Sequence, residues 1–329
     1  MSAPFFEDLQ AGTVFGDAPA LTLTEGHAAL HQAIAGDRLR LAFDRPLAAG
    51  VLGEGPAPAH PALVWDTAIG QSTVATGRVI ANLFYRGLLL HRPVRLGDTL
   101  STTTEVVARR ENRAREGRRP TGLAVLRIRT VDQSGRPVLD FTRCAMLPLR
   151  DAPTGEPGDP VGGAADLEAE PLRSAAEALD LEAFRAAVPG PHFDAVDDGW
   201  AAEIEGGDVV DSAPALARLT LNVAMAHLDT GAAAHGRRLV YGGHTIALAA
   251  AQAARALPAL VTILGWHAAE HTAPVFEGDT LRSRIALEHR EPLPGGGGLV
   301  HLRSHVTAAR AAGGEDEDVL DWRFVGVLA

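Results

Sequence analysis

The feature that most restricts the fold is an internal repeat. The segment HRPVRLGDTLSTTTEVV (91–107) returns as HTAPVFEGDTLRSRIAL (271–287). Each copy is preceded by a helix-like run, PALVWDTAIGQST in one case and GHTIALAAAQAAR in the other. Each is followed by strand-like runs, GLAVLRIRTVDQSGRPVLDFTRCAML (122–147) and GLVHLRSHVTAARAAGGEDEDVLDWRFVGVL (298–328). The openings FFEDLQAGTVF and HFDAVDDGWAA also correspond. Self-similarity at so long a period marks two copies of one structural unit. The chain is therefore read as an N-terminal unit over 1–150, a linker over 151–191 and a C-terminal unit over 192–329. The linker begins rich in Pro, Gly and Asp (DAPTGEPGDPVGG) and then turns helical, long enough to let the units sit side by side.

Inside each unit the helix is apolar around most of its circumference, which means that it is buried. The strands alternate apolar and polar residues and are joined by loops such as DQSGRP and GGEDED, the pattern of antiparallel hairpins. A buried helix on one face of an antiparallel sheet is an α+β layer arrangement. A sheet wrapped around such a helix is the hotdog fold, and two copies in one chain make a double hotdog.

Charge and cysteine usage narrow the partners. A net charge of −11 argues against a nucleic-acid backbone or an anionic membrane surface. The richest apolar run, GGHTIALAAAQAARALPALVTILGW, is interrupted by Arg255 and Pro258 and falls short of a membrane span. A single cysteine, Cys144, suits a reducing compartment, and MSAPFFEDLQAG lacks the charged and apolar regions of a signal peptide. A cytoplasmic protein is expected.

Read together and in order, FFEDLQAG, IANLFY (80–85), RLGDTL (95–100), VLDFTRCAM (138–146), RRLVYGGHTIAL (237–248) and HTAPVFEGDT (271–280) give the chain a resemblance. It resembles the MaoC-like dehydratases, hotdog hydratases of acyl-CoA thioesters, in the branch that includes mesaconyl-CoA hydratase. In that family an Asp stands five residues before a His, and an HG pair opens the long helix. Here the His corresponds to His227 and the Asp position holds Asn222, while Tyr241 and Gly242 stand at the HG pair. The N-terminal copy has Asp37 at the acid position but Ala42 where the His would be. The resemblance thus implies that the C-terminal unit carries the chemistry and the N-terminal unit shapes the acyl pocket. It implies an acyl-CoA thioester as substrate, no metal and no redox cofactor, and a monomer or homodimer. The acyl group implied is branched or dicarboxylic, as in mesaconyl-CoA.

Hydrating an enoyl thioester requires an oriented water, a proton taken from it and one delivered to Cα, and stabilisation of the charge that develops on the thioester oxygen. His227 is the candidate acid/base, since an imidazole exchanges protons near neutrality. Asn222 does not ionise and is assigned as orienter. Backbone N–H groups of Gly242 and Gly243, at a helix start, are candidate oxyanion donors. Tyr241, Arg237, Arg238 and His271 are the candidate substrate-binding residues. Positions five apart on a helix differ by about 140°, so Asn222 and His227 meet only if the helix ends between them. NVAMAH contains no Pro or Gly to end it. Two further readings keep the fold, namely thioester hydrolysis and acyl-thioester binding without catalysis.

Other signals are weaker. HAAEH (267–271) matches a zinc-peptidase pattern but falls where the other copy has GLLLHRP, so strand or loop is expected and no metal site. The cluster ARRENRAREGRRP (108–120) reads as a solvated hairpin loop. PLPGGGG reads as a flexible loop, and both GDT triplets as turns entering strands. Tyr85 is expected in the core.

Overall fold

The structure, a computed structural model, describes residues 3–329 except 115, 156–157, 160–165 and 235. The first copy runs β1 (Val14–Phe15), β2 (Leu21–Thr22), α1 (Glu25–Ala35), α2 (Arg45–Leu52), α3 (Pro61–Ser72), β3 (Ala81–Leu90), β4 (Thr99–Glu111), β5 (Thr121–Val131) and β6 (Pro137–Pro148). Two short helices follow, α4 (Ala169–Ala176) and α5 (Leu181–Ala187). The second copy runs β7 (Ala201–Glu203), β8 (Asp208–Val209), α6 (Ala213–Leu219), α7 (Met225–Leu228), α8 (Gly242–Ala256), β9 (Leu260–His271), β10 (Thr280–Pro292), β11 (Gly298–Ala309) and β12 (Glu317–Leu328). The linker, expected to end in one helix, contains two. Its residues 156–157 and 160–165 lie outside the described residues.

All these strands join one antiparallel sheet in the order β1-β4-β5-β6-β3-β9-β12-β11-β10-β7, with β2 beside β4 and β8 beside β10. The order reads the same from either end once each strand of one copy is exchanged for its counterpart, so a pseudo-twofold axis passes between β3 and β9. There Tyr85 lies opposite Ala269 and Leu88 opposite Trp266. The long helices α3 and α8 are buried along almost their whole length. Trp65 of α3 packs edge-on against Trp266 and Trp322, closing the core at the junction.

Small packing details repeat as well. A Cβ on Gly122 of β5 would come within 2.4 Å of the Phe6 ring, and one on Gly298 of β11 within 2.2 Å of Phe193. Phe6 and Phe193 are the aromatic residues of the matching openings. Each GDT triplet is a turn: Gly97 and Gly278 adopt φ of +100° and +90°, and the Asp98 and Asp279 carboxylates accept from Arg95 N–H and Phe276 N–H. No helix among the described residues is long and apolar enough to cross a membrane.

Candidate active site

The site begins where α6 stops. Leu221 takes a left-handed φ of +59°, and Asn222 N–H bonds back to Ala217 C=O at 2.8 Å. The N-terminal unit holds the break open. Val223 N–H donates to Thr73 Oγ1 at 2.9 Å and Met225 N–H to Gly77 C=O at 2.9 Å. Gly70 of α3 packs so closely that a Cβ there would lie 1.8 Å from Thr220 O. The chain then re-enters helix as α7, which carries His227. Asn222 and His227 are therefore brought together across a turn and not along a helix, and both line one cavity of about 220 Å³.

Within that cavity each polar group has a defined state. The Oδ1 of Asn222 accepts from Ala224 N–H at 3.0 Å, which fixes the amide's orientation. Its Nδ2 is buried without a protein partner and is a donor held ready. His227 Nδ1 lies 2.8 Å from Leu239 C=O. A carbonyl only accepts, so Nδ1 carries the proton and Nε2 keeps its lone pair. Burial, with the Arg143 cation nearby, lowers the His227 pKa to about 4, and the ring is neutral at pH 7. His271, also on the cavity wall, is lowered to about 4 by burial, and its Nε2 is unpartnered.

The Gly-Gly start of α8 divides into two roles. Gly242 lines the cavity, and a Cβ there would lie 2.6 Å from His271 Nε2. Its N–H belongs to the first turn, where intrahelical acceptors run out. Gly243, the other expected oxyanion donor, is not among the residues that line the cavity. A Cβ on Gly243 would lie 2.2 Å from the Tyr241 ring and 2.3 Å from Asp66 Oδ1, so this residue sits under that pair and off the cavity wall. Tyr241 does line the cavity while its hydroxyl donates to Asp66 Oδ1 at 2.9 Å, and Asp66 Oδ2 is 3.0 Å from His31 Nε2.

Arg237 and Arg238, the other expected substrate-binding residues, lie outside the cavity wall. Both are exposed; Arg237 stacks on the Phe276 ring and Arg238 donates to Glu277 at 2.7 Å. HAAEH lies on β9, where a bulge at His267 turns the two histidines apart. His267 bonds to His301 and His271 faces the cavity. Among the described residues no three His, Cys, Asp or Glu side chains cluster as metal ligands. The arginine cluster begins on β4, and its Arg115 lies outside the described residues. None of its described arginines touches the cavity.

The N-terminal unit supplies groups that the sequence reading did not single out as site residues: Thr73, Asn82 and Arg143, with Tyr85 completing the wall. Its own equivalent cavity is apolar, about 50 Å³, and lined by linker residues Ala175 and Leu179 among others. Asp37, at the acid position there, has its Oδ2 against His60 Nε2, and its Oδ1 accepts from Leu39 N–H. One of the two related positions thus keeps polar groups facing a cavity, and the other has turned them inward.

No family model matches the chain. It is 30% identical over 305 residues to mesaconyl-CoA hydratase of Cereibacter sphaeroides, covering 91% of this chain and 88% of the relative. It is 29% identical over 314 residues to β-methylmalyl-CoA dehydratase of Chloroflexus aurantiacus, covering 93% and 88%. Among solved structures, a Mycobacterium tuberculosis protein described as having a double hotdog fold superposes with a TM-score of 0.91 at 51% identity, covering 99% of both chains. A Chloroflexus aurantiacus protein described as a MaoC domain dehydratase superposes with a TM-score of 0.83 at 27% identity, covering 99% of this chain and 97% of that one. The shared length, the shared double hotdog and the sequence identity lead to one conclusion: this chain belongs to the mesaconyl-CoA hydratase family of MaoC-like dehydratases.

Proposed function

We propose that the protein is a hydro-lyase that adds water to an enoyl-CoA and removes it from a 3-hydroxyacyl-CoA. The observation that carries this reading is one cavity holding a neutral imidazole with a free Nε2, an amide donor without a partner, and the first N–H of a buried helix. Asn222 Nδ2 holds the water by donating to its oxygen. His227 Nε2 takes a proton from that water as the C–O bond forms at Cβ, and the resulting imidazolium returns a proton to Cα. The Gly242 N–H faces the thioester oxygen while negative charge resides there. Electrons move only between the double bond, the water and the carbonyl, so the reading requires no redox cofactor. We further propose that it works in the cytoplasm as a monomer or homodimer, since a single chain already pairs two hotdog units.

Short, branched and carboxylated enoyl-CoAs, offered to the purified protein, test this directly. Loss of the enoyl absorbance without release of free thiol is expected. Thiol release would mean thioester hydrolysis, and binding without turnover across the panel would mean an acyl-thioester carrier.

The acidity of His227 gives a second test. The reactive form is the neutral ring, so kcat/KM for hydration should stay level from pH 8 down to about 5 and fall as the pH approaches about 4. A profile that instead falls through the ordinary histidine value near 6.5 would show that His227 is not the proton acceptor in a buried site.

A further inference from the structure

A tyrosine of the C-terminal unit is tied to a carboxylate of the N-terminal unit behind the site. Tyr241 stands immediately before α8, and its ring meets the His227 ring edge-on, with the centroids 5.9 Å apart. Its carbonyl and the Gly242 N–H share one rigid peptide plane, so the torsions of Tyr241 decide where that N–H points. Its hydroxyl donates to Asp66 Oδ1 at 2.9 Å, and the other carboxylate oxygen is 3.0 Å from His31 Nε2. Asp66 and His31 are both at most 1% exposed. His31 in turn stacks on His60, whose Nε2 lies against Asp37 Oδ2. A buried polar chain therefore joins the inward-turned groups of the N-terminal unit to the wall of the C-terminal cavity.

The repeat separates what the fold requires from what the site requires. The helices α3 and α8 match, and the sixth residue is Asp66 in one and Ala247 in the other. Both are fully buried. The helix thus packs with a methyl group at this position, and the fold does not call for a carboxylate there. Enclosing a carboxylate is costly, whereas an apolar pair would join the units without that cost. A Cβ on Gly243 would lie 2.2 Å from the Tyr241 hydroxyl and 2.3 Å from Asp66 Oδ1, so a glycine there leaves room for the bond.

We propose that Asp66, acting through Tyr241, is a positioning residue for the hydration centre. The bond across the unit boundary locks the ring that steers the His227 imidazole, and with it the peptide that aims Gly242 N–H at the thioester oxygen. His31 holds the second oxygen of the carboxylate. This rests on the hydro-lyase reading and adds a residue to it. Asp66 does not line the cavity and exchanges no proton with substrate. Its effect is on aim, and an error of about 1 Å in aim costs on the order of 100-fold in rate.

Tyr241→Phe removes the hydroxyl and keeps the ring. We expect kcat to fall about tenfold or more with KM within about twofold of wild type, because the aim of the donors matters most once charge has developed. Asp66→Ala should do the same. Asp66→Asn retains an oxygen that accepts from Tyr241, and should bring kcat back to within about threefold of wild type. The double variant Tyr241→Phe/Asp66→Ala should be no slower than the slower single one, since both remove the same contact. A lower urea midpoint with full kcat in the folded fraction would make the bond structural only and overturn the proposal. A raised KM with full kcat, or Asp66→Asn as slow as Asp66→Ala, would overturn it too. Should Asp66→Ala not fold, Tyr241→Phe and Asp66→Asn decide. Carbon NMR of the His227 imidazole needs no turnover: its shifts should move in Tyr241→Phe and Asp66→Ala and hold in Asp66→Asn. The two readings therefore fail separately. If wild type hydrates no enoyl-CoA, the hydro-lyase is lost, and the shifts still decide whether Asp66 positions the ring. Hydration by wild type, with shifts and kcat unmoved in Tyr241→Phe, does the reverse.

Discussion

Replacing His227 with alanine is expected to lower the hydration rate by about 10³-fold, the range lost when a positioned acid/base is removed. The fold should survive. The ring's one hydrogen bond is to Leu239 C=O, and leaving that carbonyl unpaired costs about 1–3 kcal/mol. Circular dichroism of the variant should therefore match wild type, and denaturant unfolding should show a loss within that range of about 1–3 kcal/mol, while turnover is lost. His227→Gln refines the test, because a carboxamide can occupy the space and accept a hydrogen bond but cannot take up a proton. Retained turnover in a folded His227→Ala would remove His227 from the chemistry and direct attention to His271, the other neutral imidazole on the wall.

The second large effect is expected at a residue outside the chemistry. Gly70→Ala places a Cβ 1.8 Å from Thr220 O, a backbone atom with no flexible end to swing aside. The helix or the turn must move, at a cost of about 3 kcal/mol or more, the upper part of the overpacking range. The turn is also what brings Asn222 and His227 together, so kcat/KM should fall along with the midpoint of urea unfolding. Gly50→Ala in α2 is the matched control: nothing lies within 4 Å of its Cβ position, and a helical Gly→Ala change stabilises by up to about 1 kcal/mol. If Gly70→Ala behaves like Gly50→Ala in both measurements, the break between α6 and α7 is not held by α3.

The architecture could be read from the amino acids because the repeat is written at several levels: hydrophobic period, GDT turns, and the aromatic openings that reappear as Phe6 and Phe193 over Gly122 and Gly298. The break between Asn222 and His227 could not. NVAMAH has no local breaker, and the acceptors that interrupt the helix, Thr73 Oγ1 and Gly77 C=O, lie about 150 residues earlier in the other unit. Arg237 and Arg238 looked well placed because they precede the helix start, but proximity in sequence says nothing about which way an exposed side chain turns, and both turn to Phe276 and Glu277. Gly243 was assigned with Gly242 because the two are indistinguishable until the Tyr241 ring is seen lying over one of them. Arg143 did leave a trace: in DFTRCAML an arginine occupies the face that alternation gives to Phe141, Ala145 and Leu147. A charge in an apolar column was the signal to follow.

The continuity of the sheet across β3 and β9 has a consequence for how such a chain arises. Two identical subunits pairing through those edges would carry two equivalent centres, and any substitution would strike both at once. Once the halves are fused, each position mutates alone. One centre is then free to lapse, its acid held against His60 and its hollow partly walled by the connecting segment, while its body is retained as the opposite wall of the surviving centre. Such a wall can acquire a guanidinium that no symmetric ancestor could hold on one side only.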